Sequence, residues 1–73
     1  MPRGLIEVDA EALREGRERA GFSVDDVSRR TGVEPATLDR IENGPARHIR
    51  PATLRRLAKA LGIEPEQLSK GPA

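Results

Sequence analysis

The chain has 73 residues and no cysteine, which bounds it to one small domain with one core and excludes a disulfide framework or a Cys-based zinc site. Thirteen Lys/Arg against twelve Asp/Glu leave a net charge of +1. That balance is too even for charge alone to point to nucleic acid, so the argument rests on where the charges sit.

In chain order, residues 1–8 form an N-terminal segment in which Leu5-Ile6-Glu7-Val8 can lie extended. Five helices follow, each announced by the same signal. An apolar residue just before the N-cap packs on another at the fourth helical position, a hydrophobic staple. Val8 and Leu13 flank Asp9 in this way, and Phe22 and Val27 flank Ser23. Val33 and Leu38 flank Glu34, Ile49 and Leu54 flank Arg50, and Ile63 and Leu68 flank Glu64. Asp9 and Ser23 are good N-caps, and Ser23 with Asp26 reads as a capping box. Pro35, Pro51 and Pro65 stand at the first helical position, where a missing N–H costs nothing. Gly21, Gly32, Gly44, Gly62 and Gly71 mark five stops, each suited to the left-handed cap. The spacing predicts helices at about 10–20, 24–31, 35–43, 51–61 and 65–70. The expected fold class is all-α, a compact five-helix bundle over residues 9–70 with a tail at 71–73. The expected core is aliphatic: Leu13, Phe22, Val27, Val33, Leu38, Ile41, Ile49, Leu54, Leu57, Leu61, Ile63 and Leu68.

The second and third helices are separated only by Gly32-Val33-Glu34. A glycine-centred turn this short sets two helices at a steep angle, the geometry of a helix-turn-helix at about 24–43. The most basic stretch, Pro45-Ala46-Arg47-His48-Ile49-Arg50-Pro51, follows directly. Its arginines suit phosphate better than lysines would. His48 is the only histidine, so no ligand cluster for a metal is expected. The three serines have one possible histidine partner and no Gly-rich loop follows a strand, so neither an enzyme nor a cofactor or small-molecule ligand is expected. No apolar run approaches the ~20 residues that span a bilayer, and the Met1–Val8 start is too short and acidic for a signal peptide. A cytoplasmic protein without a membrane partner is the expectation.

From Leu13 to Leu68 the chain resembles the Cro/C1-type helix-turn-helix family, which includes phage repressors. The carriers are Leu13-Arg14-Glu15-x-Arg17, Gly21-Phe22-Ser23, Gly32-Val33, Ile41-Glu42-Asn43-Gly44 and Leu57-Ala58-Lys59-Ala60-Leu61-Gly62-Ile63. The resemblance implies a lambda-repressor-like domain that binds double-stranded DNA as a small, nucleoid-associated transcriptional regulator, with the third helix in the major groove. It puts Pro35, Ala36, Thr37 and Arg40 at the base edges, with Arg40 suited to guanine and the Thr37 methyl to thymine. Arg47, His48 and Arg50, with Ser23 and Asn43, are the expected phosphate contacts. Arg17 and Glu42 are expected to pair, pinning the first helix to the third. The chain departs from the family at Val24, where Gln is usual, and at Ser28, where Ala is usual. Glu34 and Asp39 add negative charge near the expected DNA face. Those departures keep a second reading open, a helix-turn-helix scaffold used for protein interaction. One recognition helix reads only a few base pairs, so a two-fold homodimer on DNA is expected. It would meet either through Ile63, Glu64 and Leu68 or through the edge of the Leu5–Val8 segment.

Overall fold

A computed structural model of the chain describes residues 4–44 and 47–72, the last two as backbone only. Its elements run β1 (Ile6–Val8), α1 (Ala10–Arg19), α2 (Val24–Thr31), α3 (Pro35–Asn43), β2 (His48–Ile49), α4 (Pro51–Leu61), α5 (Pro65–Leu68) and β3 (Ser69–Pro72). The five helices stand where the staples put them, and each start has a visible cause. The Ala12 N–H donates to Asp9 Oδ1 at 3.1 Å, capping α1. Ser23 and Asp26 close a reciprocal capping box on α2, with N···O distances of 2.9 and 3.0 Å. The other three helices open on proline after an extended residue.

The staple pairs divide by depth. Leu13, Val27, Leu38, Leu54 and Leu68, the inner members, are all buried, and with Ile41, Leu57, Ala58 and Leu61 they make the core. Phe22, Val33, Ile49 and Ile63, expected in that core, are half-buried and pack against its rim. They precede their helices, so they cover the ends of the core rather than fill it. Val8 is the exception at 0 % exposure, because it belongs to a strand of a small sheet and packs into the core from there.

That sheet corrects the all-α expectation. The fold is mostly helical, but β1 pairs antiparallel with β2 on one side and β3 on the other, in the order β2-β1-β3. Ile6 faces Ile49 and Glu7 faces His48 across one ladder. Val8 faces Ser69 and Glu7 faces Gly71 across the other, with an irregularity between Glu7 and Val8. The fifth helix accordingly ends at Leu68, not residue 70: Ser69 is extended (φ −99°, ψ 135°), and the chain gains a ladder in place of another helical turn. The 71–73 tail likewise contributes Gly71 and Pro72 to β3, while Ala73 lies outside the described residues. β1 has both edges occupied, so the expected dimer contact through a free Leu5–Val8 edge is closed.

Two glycines also differ from expectation. Gly21, Gly32 and Gly62 take the left-handed conformation, but Gly71 lies in β3 and Gly44 leaves α3 extended, at φ −143°. A left-handed cap serves to satisfy the last helical carbonyls. At the end of α3 the Arg14 side chain does part of that work, donating to the Glu42 carbonyl at 3.2 Å.

The α2–α3 turn is held from inside. Gly32 turns left-handed at φ 79°, its N–H bonding the Ser28 carbonyl at 2.8 Å. The buried Thr31 hydroxyl donates to the Val27 carbonyl at 2.7 Å and accepts from the Val33 N–H at 3.1 Å. Gly32→Ala introduces no clash, but it forces a Cβ into the left-handed region, at about 1–2 kcal/mol. Chemical denaturation should show that loss with an unchanged m-value; wild-type stability would mean the turn relaxes without cost.

Candidate nucleic-acid interface

Helix α3 buries one side and presents the other. Leu38, Ile41 and Glu42 face inward. Ala36, Asp39, Arg40 and Asn43, at i, i+3, i+4 and i+7, form one exposed stripe with Pro35 beside it, and Thr37 is half-buried at its margin. The four expected base-reading positions therefore lie on or beside one solvent-facing surface, three of them in the first turn and Arg40 in the second. Their side chains are short except for Arg40, so a groove wall can approach the helix closely.

The buried side carries the expected ion pair. Arg17 grips Glu42 with two hydrogen bonds, Nε to Oε2 at 2.8 Å and Nη2 to Oε1 at 2.9 Å. Its remaining Nη1 donates to the Phe22 carbonyl at 3.0 Å. One guanidinium thus joins α1, the α1–α2 turn and α3. The Glu42 side chain is only 3 % exposed, and the hydrogen bond from Arg17 holds that guanidinium's pKa above its ordinary value against the opposing effect of burial.

Arg14, one turn before Arg17, was not singled out by sequence reasoning as a site residue. It lies 3.6 Å from Glu42 Oε1 and donates both to the Glu42 carbonyl and to Asn43 Oδ1. Asn43 Nδ2 in turn donates to Asp39 Oδ1 at 2.9 Å. Asp39 therefore pairs with Asn43, its neighbour one turn on, and not with Arg40. The signal in the sequence was the i, i+3 spacing of Arg14 and Arg17, which puts both on one face of α1. Arg40 is exposed and forms no ion pair among the described residues.

Around α3 the remaining expected residues lie on neighbouring elements. Ser23 caps α2, with its N–H and hydroxyl oxygen both engaged by Asp26. The Ser23 N–H and hydroxyl, then Arg29 and Arg30, hold the Asp26 carboxyl below its ordinary pKa. Arg47, His48 and Arg50 are exposed. β2 fixes this end of the basic loop: the Arg47 carbonyl accepts from the Val8 N–H at 2.6 Å, and His48 stands opposite Glu7. Pro45 and Ala46 lie outside the described residues. Among the described residues no cluster of His, Cys, Asp or Glu could hold a metal, and no helix is long and apolar enough to cross a membrane.

Two helices joined by a glycine turn, the second exposed along one stripe and locked to the body along the other, define a helix-turn-helix domain. Residues 10–70 match the family model described as "Helix-turn-helix domain", and the chain belongs to that family, in its Cro/C1-type branch. It is 40 % identical over 63 residues to the HTH-type transcriptional repressor RghR of Bacillus subtilis (strain 168), an alignment covering 86 % of this chain and 47 % of that protein. The chain thus spans about half the length of that relative. Its fold is similar to the crystal structure of the restriction-modification controller protein C.AhdI from Aeromonas hydrophila, with a TM-score of 0.72 and 29 % identity. That match covers 80 % of this chain and 86 % of the other.

Arg17→Met should cost about 3 kcal/mol or more, because it leaves the buried Glu42 carboxylate with only Arg14 at its side. Arg17→Lys should recover part of this loss, since it keeps the charge but not the two-pronged grip. Equal stability of all three proteins in urea would contradict the pair's structural role. The Asp26 carboxyl, lowered in the folded chain, contributes stability that is present above the unfolded pKa. That contribution is lost as pH falls through the folded value. Asp26→Asn should therefore flatten the acid limb of a stability–pH curve below about pH 4; an unchanged limb would show that the capping box does not titrate with folding.

Proposed function

We propose that this domain binds double-stranded DNA as a transcriptional regulator, with α3 in the major groove. The observation that carries the reading is the division of α3. Its inner side is fixed by Leu38, Ile41 and the Arg17–Glu42 pair, while Ala36, Arg40 and the first-turn residues face outward. A reading head needs that combination, since a helix that rocks in its seat cannot hold hydrogen bonds to base edges in register. The names of the two relatives, a repressor and a restriction-modification controller, point the same way.

In this reading Arg40 takes guanine O6 and N7, and Ala36 and the Thr37 methyl meet thymine methyls. Pro35 shapes the first turn. Arg47, His48 and Arg50 hold phosphates beside the start of α4, with the Ser23 hydroxyl doing so at the start of α2. Asn43, whose amide is engaged by Arg14 and Asp39, reaches phosphate only through its second amide hydrogen. The protein acts as a two-fold homodimer on DNA, at the nucleoid in the cytoplasm. With the β1 edge occupied and Leu68 fully buried, its contact falls at the half-buried Ile63 and the exposed Glu64. Exposed Glu34 and Asp39 favour the rival reading, a scaffold for protein contacts, because they add negative charge close to the proposed DNA face.

The discriminating experiment is DNA selection with the purified protein, followed by salt titration on the best site. With about four phosphates neutralised per protomer, log K should fall with a slope of about −0.9 for each; a flat response would favour the protein-contact reading. Arg50 caps α4 without a side-chain bond, so Arg50→Ala should leave the fold intact and weaken all sequences alike. Arg40→Ala should instead relax preference at one position by roughly 1–3 kcal/mol. Unchanged specificity of the Arg40 variant would remove that residue from the base edge.

A further inference from the structure

An open cleft of about 580 Å3 lies between the end of α2 and the second half of α4, lined by Arg30, Thr31, Arg56, Lys59 and Ala60. Three of its five lining residues are cations and none is an acid. The wider helix repeats the pattern: α4 contains no carboxylate, and its exposed stripe is Ala52, Arg55, Arg56 and Lys59. The Arg30 guanidinium lies over the Phe22 ring, 4.2 Å from its centroid, which holds one wall of the cleft in place.

These cations are separate from the proposed DNA surface. That surface uses the starts of α2 and α4, at Ser23 and Arg50. Arg30 and Lys59 sit toward the other ends, about 10 and 13 Å further along their helix axes. The cleft is also unlike a small-molecule site. Its cations are exposed, and no buried side-chain donor among the described residues lacks a partner. An extended acidic surface fits it better than an enclosed anion does.

The same chain carries such a surface. Glu11, Glu15 and Glu18 are all exposed on α1. At i, i+4 and i+7 they form one acidic stripe, with Arg19 on its flank and Arg14 turned away to Glu42 and Asn43. Among the described residues none of the three, nor Arg56 or Lys59, forms an ion pair. Stripe and cleft are complementary in sign and belong to different elements.

We propose that the α2–α4 cleft receives the acidic face of α1 from a second copy of this chain. Each contact uses the stripe of one copy and the cleft of the next and leaves the other stripe and cleft free, so it is heterologous and links molecules in a row rather than closing a pair. It is therefore distinct from the two-fold homodimer. Exposed ion pairs are individually weak and screened by salt. The contact is salt-labile and is populated where copies are crowded, as on adjacent sites of one DNA; that setting rests on the proposed DNA binding, whereas the contact itself does not.

The test is sedimentation velocity of the purified protein without DNA, at low and high salt, with charge-reversed variants. Glu11→Lys/Glu15→Lys reverses the stripe and Arg56→Glu/Lys59→Glu reverses the cleft; both leave Glu18 beside Arg17 and Arg30 on Phe22. Wild-type protein should show concentration-dependent association that salt removes. Each variant alone should lose it, and an equimolar mixture of the two should regain it, because the stripe of either variant is then opposite in sign to the cleft of the other. The neutral variants Glu15→Gln and Arg56→Gln, which disturb folding least, should each weaken association several-fold. The proposal is overturned if wild-type protein shows no salt-labile association, if the neutral variants associate as wild type does, or if the mixture behaves as its separate components. It is equally overturned if Arg56→Glu/Lys59→Glu weakens DNA binding as Arg50→Ala does while self-association persists, since the cleft would then be a phosphate site.

Discussion

The helix-turn-helix depends on one carboxylate. Glu42 sits on the inner side of α3, nearly excluded from water, and its charge is tolerable there only because Arg17 meets it with two aligned donors and Arg14 stands close by. Apolar packing through Leu38 and Ile41 would hold α3 against the body but would let it slide by small steps, since dispersion is not directional. Paired hydrogen bonds are directional. The third donor of Arg17, on the Phe22 carbonyl, extends the constraint to the turn from which α2 departs. The two helices of the motif thus take their mutual setting from Gly32 and Thr31 on one side and from Arg17 on the other.

What the sequence made legible was whatever is local. A proline at N1, a staple across an N-cap and a Ser-x-x-Asp box are each complete within a few residues, so all five helix starts could be placed. The outward positions of α3 came from family resemblance instead. The sheet was not legible, because nothing in His48-Ile49 or Ser69-Lys70-Gly71-Pro72 alternates or is rich in strand formers. These residues are extended because β1 lies between them, a fact of tertiary structure. Gly44 misled for a related reason: Glu-Asn-Gly reads as a left-handed stop, whereas the carbonyl that such a stop would help satisfy is met by Arg14 from another helix. The Arg14–Asn43–Asp39 chain and the Thr31 hydroxyl were hidden for the same cause. Arg17 with Glu42 was found only through family resemblance, since twenty-five positions separate them.

Near-neutral net charge concealed a segregated surface. The acids of α1 gather on one stripe, α4 has none, and Asp25 and Asp26 sit where the α2 dipole favours them. Arg40, Arg47 and Arg50 are left exposed at the candidate interface. A sum of +1 therefore describes the chain poorly: the domain presents differently charged sides to different partners, and composition averages them away.

The sheet joins residue 6 to residue 72 through the pairing of Ile6 with Pro72. The first strand of the sheet cannot complete its ladder until the last one has been made. On a ribosome, the helices can gather as they emerge, but Val8 gains its full cover only when Ser69–Pro72 has cleared the exit tunnel. The domain therefore closes late, and a nascent chain halted within α5 would still expose the inner edge of β1 to whatever strand is nearby.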